Sequence, residues 1–189
     1  AAAASGRNGG FVSAGFAEGI DKVSGKVGKA AAQHLFALSR QGAEFVRCEA
    51  ARMKGVVRMG DGMLVVQRYP DSSGGLKRYG EAMQRDYDEP VEYLGREETR
   101  AALASRRYHA ALRRPKAFHI HPLRYGLGLA AAAVKAGAAI HEHSRALSVT
   151  KSGGQWLVST EMGKVEAAHV VFTVAALDRN LHPASGRAV

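Results

Sequence analysis

Three short strand-forming segments near the end of the chain are separated by turns of only three residues. The segments are residues 146–151, 155–160 and 164–167, and the turns are Ser152-Gly153-Gly154 and Glu161-Met162-Gly163. Glycine is common in such turns because it accepts the backbone angles that tight hairpins require. The sequence therefore predicts an antiparallel meander of three strands in this part of the chain.

Further elements are predicted on either side of this meander. His121-Pro122 indicates a helix start, because proline suits the first helical position. The helix is expected to end at Gly137 and to bury Leu123, Leu127, Ala130, Ala131 and Val134. Residues 138–143 are expected to form the next strand. The apolar run over residues 170–175 is typical of a strand buried on both faces.

The first two thirds of the chain also mix helical and strand patterns. A long helical region is expected after residue 19, with Gly42 marking a kink or a break. Its apolar face is predicted to comprise Val27, Ala30, Ala31, His34, Leu35 and Leu38, with His34 a core histidine. Helices are also predicted over residues 76–87 and 96–104, and strands over residues 63–66, 91–94 and 117–121. The mixture indicates an α/β chain.

A glycine-rich stretch precedes all of these elements. It comprises Ser5, Gly6, Arg7, Asn8, Gly9 and Gly10, called the glycine loop below. With few side chains to hold a ligand away, its backbone can approach a flat or anionic group closely. Successive N–H groups of such turns can form a concave cradle for anions or carbonyl oxygens. A flexible N-terminal tail is the alternative that composition alone leaves open.

The chain is basic, with a net charge of +10 from 27 Lys and Arg against 17 Asp and Glu. The basic residues are scattered, and the densest group is Arg106-Arg107 with Arg113-Arg114. Neither zinc-finger spacing nor an RNA-recognition aromatic motif accompanies them. We therefore expect no nucleic-acid partner.

Membrane insertion and secretion are not indicated either. The longest nearly apolar stretch, residues 127–139, is too short to span a bilayer. No basic and apolar leader is visible. The single cysteine, Cys48, excludes an internal disulfide and suits a reducing, cytoplasmic compartment. We interpret it as a small buried residue on a helix.

Two further patterns resemble binding motifs without their expected context. Residues 126–131 match the spacing Gly-x-Gly-x-x-Ala, but the helix that starts at Pro122 places these glycines inside a helix and not in a strand-to-helix turn. His119 and His121, like His141 and His143, would share a strand face. No third ligand clearly completes either pair, so we predict unrelated histidines and no metal site.

The glycine loop resembles the flavin-contacting loop of FAD-dependent oxidoreductases of the D-amino-acid-oxidase superfamily. The string Ser-Gly-Arg-Asn-Gly-Gly is most similar to the gamma-glutamylputrescine oxidase branch. Residues 121–138 and 170–175 resemble the family in the same order. The family's opening Gly-x-Gly-x-x-Gly unit and its C-terminal part have no counterpart here, so we interpret the chain as an internal fragment.

The resemblance implies an α/β fold with a partial Rossmann-like FAD-binding domain, crossed over by the antiparallel meander. It assigns residues 1–55 to the FAD domain, with the flavin loop and helices. Residues 56–120 become part of an inserted α+β substrate domain, and residues 121–189 return to the FAD domain.

The resemblance also implies FAD as the cofactor and suggests which residues contact it. The backbone of the glycine loop would meet the flavin ring edge or the pyrophosphate, and Ser5 and Arg7 would add polar contacts. Ala146 takes the position whose backbone meets the adenine. Thr173, Val174 and Ala175 end the buried strand near the pyrophosphate, although relatives often carry Gly or Asn in that last segment.

The implied reaction is oxidation of the C–N bond of an amine or amino acid, with a small-molecule amine as substrate. A sarcosine-type or glycine-type oxidase is the alternative within the class. No catalytic acid or base is assigned, because the flavin carries out the redox step. We also weigh a non-catalytic fragment without bound flavin, since the phosphate-binding turn of the family has no counterpart in the chain.

Overall fold

A computed structural model describes residues 4–53 and 60–174 together with Leu181. The chain divides into two compact units, Ala1–Ala136 and Gly137–Val189. The first unit contains a 3₁₀ turn at Ala4–Gly6, helices α1 (Ile20–Val27), α2 (Lys29–Arg52), α3 (Gly75–Tyr87), α4 (Arg96–Leu103) and α5 (Pro122–Lys135), and strands β1 (Phe11–Val12), β2 (Gly60–Gln67), β3 (Glu92–Leu94) and β4 (Ala110–His119). The second unit contains strands β5 (Ser148–Ser152), β6 (Gln155–Ser159) and β7 (Lys164–Ala167).

The sheet of the first unit is organised around β4, which pairs antiparallel with β1, β2 and β3. The strand predicted over residues 117–121 is thus the end of a longer strand. The β2–β4 ladder changes register between Asp61 and Met63, opposite the stretch of β4 that contains Pro115. Because proline has no N–H to donate, an irregularity of the ladder is expected beside it.

Two apolar clusters lie in the first unit. The first comprises Ala14, Ile20, Ala32, Phe36, Met83 and Val91 and packs α1, α2 and α3 together, and the second comprises Ala50, Phe118 and Ile120 and packs α2 on β4. Both include residues of α2, so this helix contributes to both clusters. α3 and α4 agree with the predicted helices to within a residue or two at either end.

The predicted apolar face of α2 is wrong. Ala32 and Phe36 are buried, whereas His34, Leu35 and Leu38 are exposed. The difference arises because α1, α3 and the segment around Val91 pack on the Ala32 side of the helix. His34 is consequently not a core histidine.

Two other predictions about α2 are also wrong. The helix continues through Gly42, so this glycine marks neither a break nor a helix end. Cys48, expected to be buried, is exposed. Contacts on both sides of Gly42 hold the helix: Arg40 pairs with Asp88, and Arg47 donates to the carbonyl oxygen of Lys116. These contacts act against the cost of about 1 kcal/mol for glycine in a helix.

Helix α5 begins at Pro122 as predicted, and Gly137 follows its end with a φ of +95°. Its predicted buried stripe is wrong, because no residue of α5 is fully buried and Leu127 and Val134 are exposed. Among the described residues, α5 contacts the 3₁₀ turn, its Tyr125 packs against the cluster of Ala50, Phe118 and Ile120, and its Gly128 lies next to Met53.

The second unit confirms the antiparallel meander, in the order β5-β6-β7. The strands predicted over residues 138–143 and 170–175 are wrong where the structure describes them. Residues 138–143 and 170–174 form no strand, and Val171 is 82% exposed. Within the described part of this unit neither segment pairs with a strand. Ala175 lies outside the described residues.

Over the same described residues, no helix combines the length and apolar character that crossing a membrane would need. The assignment of residues 1–55, 56–120 and 121–189 to FAD and substrate domains stays a prediction.

Candidate functional site

The glycine loop is braced from within by the side chain of Asn8. Its Nδ2 donates to the carbonyl oxygens of Ala4 and Ser5, at 3.0 and 3.1 Å. Its Oδ1 accepts the N–H of Gly10 at 2.8 Å. An asparagine that bonds neighbouring backbone in this way replaces the secondary structure that the loop lacks. The loop is therefore held in one shape by its own sequence.

Gly10 fastens the loop to the end of β4. Its carbonyl oxygen accepts the N–H of Ile120 at 2.9 Å. Gly10 has a φ of +68°, and a Cβ there would lie 2.0 Å from the carbonyl oxygen of Ile120. Only glycine combines this backbone angle with such a close approach. The loop is thus a fixed part of the first unit and not a flexible tail.

Backbone donors remain available on the outer side of the loop. Ser5, Arg7, Asn8 and Gly9 are exposed. The N–H groups of Asn8 and Gly9 have no hydrogen-bond acceptor within residues 4–53 and 60–174. Free N–H groups on a rigid loop suit carbonyl or anionic oxygens of a ligand, because they need no rearrangement to donate.

The start of α5 adjoins this loop. The 3₁₀ turn at Ala4–Gly6 contacts α5. His121 caps the helix, with its Nδ1 accepting the N–H of Arg124 at 3.4 Å. This histidine therefore has a structural role as a helix cap.

The glycines of residues 126–131 lie within α5, as predicted. A Cβ at Gly128 would lie 2.5 Å from Sδ of Met53, so close packing explains that glycine. The spacing therefore does not belong to a phosphate-binding turn, which needs its glycines between a strand and a helix.

The other residues predicted to contact flavin belong to the second unit. Ala146 is half-buried and precedes Leu147, whose N–H donates to the carbonyl oxygen of Ser159 and opens the β5–β6 ladder. Thr173 is exposed and Val174 is half-buried, and neither lies on a strand. Ala175 is outside the described residues. A shared site for these residues and the glycine loop stays a prediction.

The histidine pairs differ in their surroundings. The ring of His119 lies over Gly60, where a Cβ would come within 2.1 Å of its Cε1. His141 and His143 are exposed and lie outside any strand. In the part of the chain that the structure describes, no group of three or more His, Cys, Asp or Glu is arranged to hold a metal ion.

A buried ion pair is the feature that the sequence did not reveal. The carboxylate of Glu89 accepts from Arg114 at 2.8 Å, and Arg114 also donates to the carbonyl oxygen of Ala14 at 2.8 Å. The two charged residues stand 25 positions apart, and no periodicity connects them. Burial also raises the pKa of Tyr79, opposed by the positive charge of Arg114. Only the folded chain brings these groups together.

The class of protein follows from comparison with known families. The profile of the family described as FAD dependent oxidoreductase (DAO) matches residues 1–186. The chain belongs to this family, whose cofactor is FAD. This confirms the resemblance based on the glycine loop and on the downstream segments.

Two curated relatives are similar to the chain. It is 31% identical over 181 residues to the probable oxidoreductase OrdL of Rhizobium meliloti (strain 1021), covering 95% of this chain and 42% of that protein. It is 29% identical over 168 residues to gamma-glutamylputrescine oxidoreductase of Escherichia coli (strain K12), covering 89% of this chain and 39% of that protein. The chain thus spans less than half the length of the curated relatives it matches.

The fold agrees with a solved structure of the same kind. The crystal structure of glycine oxidase from Geobacillus kaustophilus superposes with a TM-score of 0.78 at 18% identity, over 98% of this chain and 49% of that chain. This confirms the predicted mixed α/β fold of FAD-binding type, with helices and antiparallel sheets.

The glycine loop fits FAD chemically. The flavin ring carries carbonyl oxygens and the pyrophosphate carries anionic oxygens, and both accept hydrogen bonds. The free N–H groups of Asn8 and Gly9 are donors of the matching kind, and the exposed guanidinium of Arg7 adds a positive charge beside them.

Proposed function

We propose that this chain is part of a flavin-dependent oxidoreductase that oxidises the C–N bond of a small amine or amino acid. The observation that carries the proposal is the glycine loop, a rigid hydrogen-bond donor in a chain that belongs to the FAD-dependent family. The name of the relative from Escherichia coli supports an amine such as gamma-glutamylputrescine as the substrate. A sarcosine-type or glycine-type substrate is the alternative.

In this proposal the glycine loop holds FAD through its backbone N–H groups, with Ser5 and Arg7 as polar contacts. The backbone of Ala146 and the segment of Thr173, Val174 and Ala175 complete the cofactor site. When bound, FAD would accept a hydride, that is a hydrogen with two electrons, from the carbon of the C–N bond, while the nitrogen loses a proton and a C=N bond forms. The imine product would then take up water and release a carbonyl compound together with ammonia or an amine.

The protein supplies the surroundings in which the amine can react. The carbon next to an ammonium group releases a hydride less readily than the carbon next to a neutral amine. The reason is that an ammonium nitrogen has no free electron pair to stabilise the positive charge that develops on the carbon. Burial disfavours the charged form of an amine and so lowers its pKa. We expect the substrate to be bound largely out of water for this reason.

The cytoplasmic location indicated by a single cysteine stays a prediction.

The first experiment measures bound flavin without relying on turnover. Gly9→Val adds a side chain to the exposed surface of the loop, where only the exposed ring of Phe11 lies close. We expect a lower ratio of flavin to protein absorbance, with the circular dichroism spectrum unchanged. Gly163→Val is the matched control, since Gly163 is exposed and has open space around it. Equal flavin content in the two variants would contradict the role of the loop.

The second experiment tests the reaction. The flavoprotein is mixed anaerobically with gamma-glutamylputrescine, sarcosine or glycine, and loss of the oxidised flavin absorbance is followed. We expect the first compound to reduce the flavin fastest, whereas faster reduction by sarcosine or glycine would select the alternative. A preparation of matching mass without flavin bands would instead favour the non-catalytic fragment.

A further inference from the structure

One side of helix α2 carries apolar residues that remain exposed in the structure. Leu35, Leu38 and Phe45 recur at helical spacing and so share one side of the helix, and Ala31 and Gly42 continue the same line. Leu38 is 62% exposed and Phe45 is 64% exposed. These five residues, called the α2 stripe below, extend over about four helical turns. Contiguous exposed apolar surface marks an interaction site more often than scattered exposed residues do.

Gly42 leaves a gap in the α2 stripe that contacts within the chain do not explain. It lies inside a helix, where glycine is less favourable than alanine. Among the described residues, no atom lies within 4 Å of the position that a Cβ of Gly42 would take. The gap follows Leu38 by one turn of the helix. A protruding side chain of a partner can fill this gap.

The α2 stripe is uncharged, although the chain as a whole is basic. Over residues 31–45 the charged residues of α2 are Arg40 and Glu44, and helical spacing places both off the stripe. Arg40 pairs with Asp88 at 2.8 Å, and Glu44 pairs with Arg47 at 3.5 Å. Because the net charge is +10, two copies of the chain repel one another on average. At the stripe they can meet without placing like charges opposite each other.

We propose that the α2 stripe binds the same stripe of a second copy of this chain, with the two helices antiparallel about a two-fold axis. Such an interface needs a surface that is complementary to itself. With the axis level with Arg40, Leu38 of each copy lies opposite Gly42 of the other, and Leu35 lies opposite Phe45. Each Leu38 fills the gap at Gly42, so the helices approach closely. The inference concerns association alone and stands whether or not the proposed oxidation is correct.

Sedimentation equilibrium of the purified protein over a range of concentrations gives the first test. We expect a monomer–dimer equilibrium with a Kd on the order of 10 μM, because one helix stripe presents less area than an interface of standard size. Added sodium chloride should strengthen the association, since it screens the repulsion between two basic chains. Protein that stays monomeric at every concentration and salt level overturns the proposal and assigns the stripe to a different partner, such as another part of a longer protein.

A charged substitution locates the contact. Leu38→Glu would bury a carboxylate opposite Gly42 of the other copy, so the Kd should rise by about tenfold or more. Leu127→Glu is the matched control, because Leu127 is also an exposed leucine of a helix in the first unit and lies outside the α2 stripe. We expect the control to dimerise like the unchanged protein, and both variants to keep its circular dichroism spectrum. Equal weakening by the two variants would overturn the assignment to α2.

Gly42→Leu distinguishes the proposed packing from non-specific apolar association. The substitution adds apolar surface where space is open, so non-specific association would become tighter. In the proposed pairing the new side chain meets Leu38 of the other copy, and the Kd should rise by about tenfold or more. Leu38→Ala combined with Gly42→Leu exchanges the large and the small residue and should return the Kd to within about threefold of its original value. Tighter association of Gly42→Leu alone, or no recovery in the double variant, overturns the proposal.

Discussion

Gly10 and Ile120 meet backbone to backbone, at 2.9 Å between the carbonyl oxygen of Gly10 and the amide nitrogen of Ile120. This contact joins the proposed flavin-binding loop to the end of the central strand β4. The loop therefore depends on the sheet for its position. A substitution at Gly10 should alter both the loop and the end of β4.

Gly10→Ala tests this dependence. The new Cβ would lie 2.0 Å from the carbonyl oxygen of Ile120, so backbone must move. We expect a loss of about 2 to 4 kcal/mol in the free energy of unfolding, from the left-handed angle and the overpacking together. Gly74→Ala is the matched control, because Gly74 has a similar φ of +66° and its Cβ would meet only the flexible end of Arg78 at 3.4 Å. Its cost should be about 1 kcal/mol.

Urea unfolding followed by circular dichroism measures both variants. If Gly10→Ala costs no more than Gly74→Ala, the contact with Ile120 does not constrain the loop.

Asn8 offers a finer test of the loop. Asn8→Asp keeps the oxygen that accepts the Gly10 N–H but loses both donors of Nδ2, whereas Asn8→Ala loses all three hydrogen bonds. Each exposed bond contributes about 0.5 to 1.5 kcal/mol. Hydrogen exchange of the Gly10 amide should therefore remain slow in Asn8→Asp and become fast in Asn8→Ala. Similar exchange in the two variants would mean that Oδ1 does not hold that amide.

Local sequence signals predicted those elements that make most of their own contacts. The meander follows from glycine turns between adjacent segments, and its strands pair with their chain neighbours. The start of α5 follows from Pro122, whose ring fixes the backbone angle of the first helical residue. The glycine loop was singled out by its glycine content and by the family resemblance, and its bracing bonds also join residues no more than four positions apart.

Elements that depend on distant partners were predicted poorly. The buried side of α2 is set by Ile20 and Met83, and nothing within the helix pattern reveals where they pack. Residues 138–143 and 170–174 have strand-like sequences, but a strand forms only beside another strand. Glu89 and Arg114 are brought together by the return of β4 along the sheet, so neither position signals the other in the sequence.

The buried ion pair should stabilise the first unit far more than its exposed neighbour does. Glu89→Ala leaves Arg114, which is 17% exposed, with a largely buried charge and no carboxylate partner. We expect a loss of about 3 kcal/mol in the free energy of unfolding. The adjacent pair of Arg113 and Glu92 has side chains that are 49% and 57% exposed, so Glu92→Ala should cost less than about 1 kcal/mol. Equal losses in urea titrations of the two variants would contradict this assignment.

Asp86 should make stability depend on pH at the acidic end. Arg85 and Lys29 donate to its carboxylate, at 2.8 and 3.0 Å, and hold its pKa at about 2. In the unfolded chain the pKa of an aspartate is about 3.9. Because folding lowers this pKa, the carboxylate stabilises the fold at neutral pH, and the contribution is lost as the pH falls from about 4 to about 2.

The measurement for Asp86 is the difference in unfolding free energy between the unchanged protein and Asp86→Asn across this range. We expect the unchanged protein to be more stable at pH 7 and the difference to shrink steadily below pH 4, since the protonated carboxyl group then resembles the amide. Lys29→Gln removes one of the two donors and should raise the folded pKa, so that the shrinkage is smaller and is complete at a higher pH. A difference that stays constant from pH 7 to pH 2 would show that the contacts of Asp86 with Arg85 and Lys29 do not favour the ionised carboxylate. The charge of Asp86 would then add nothing to the free energy of unfolding.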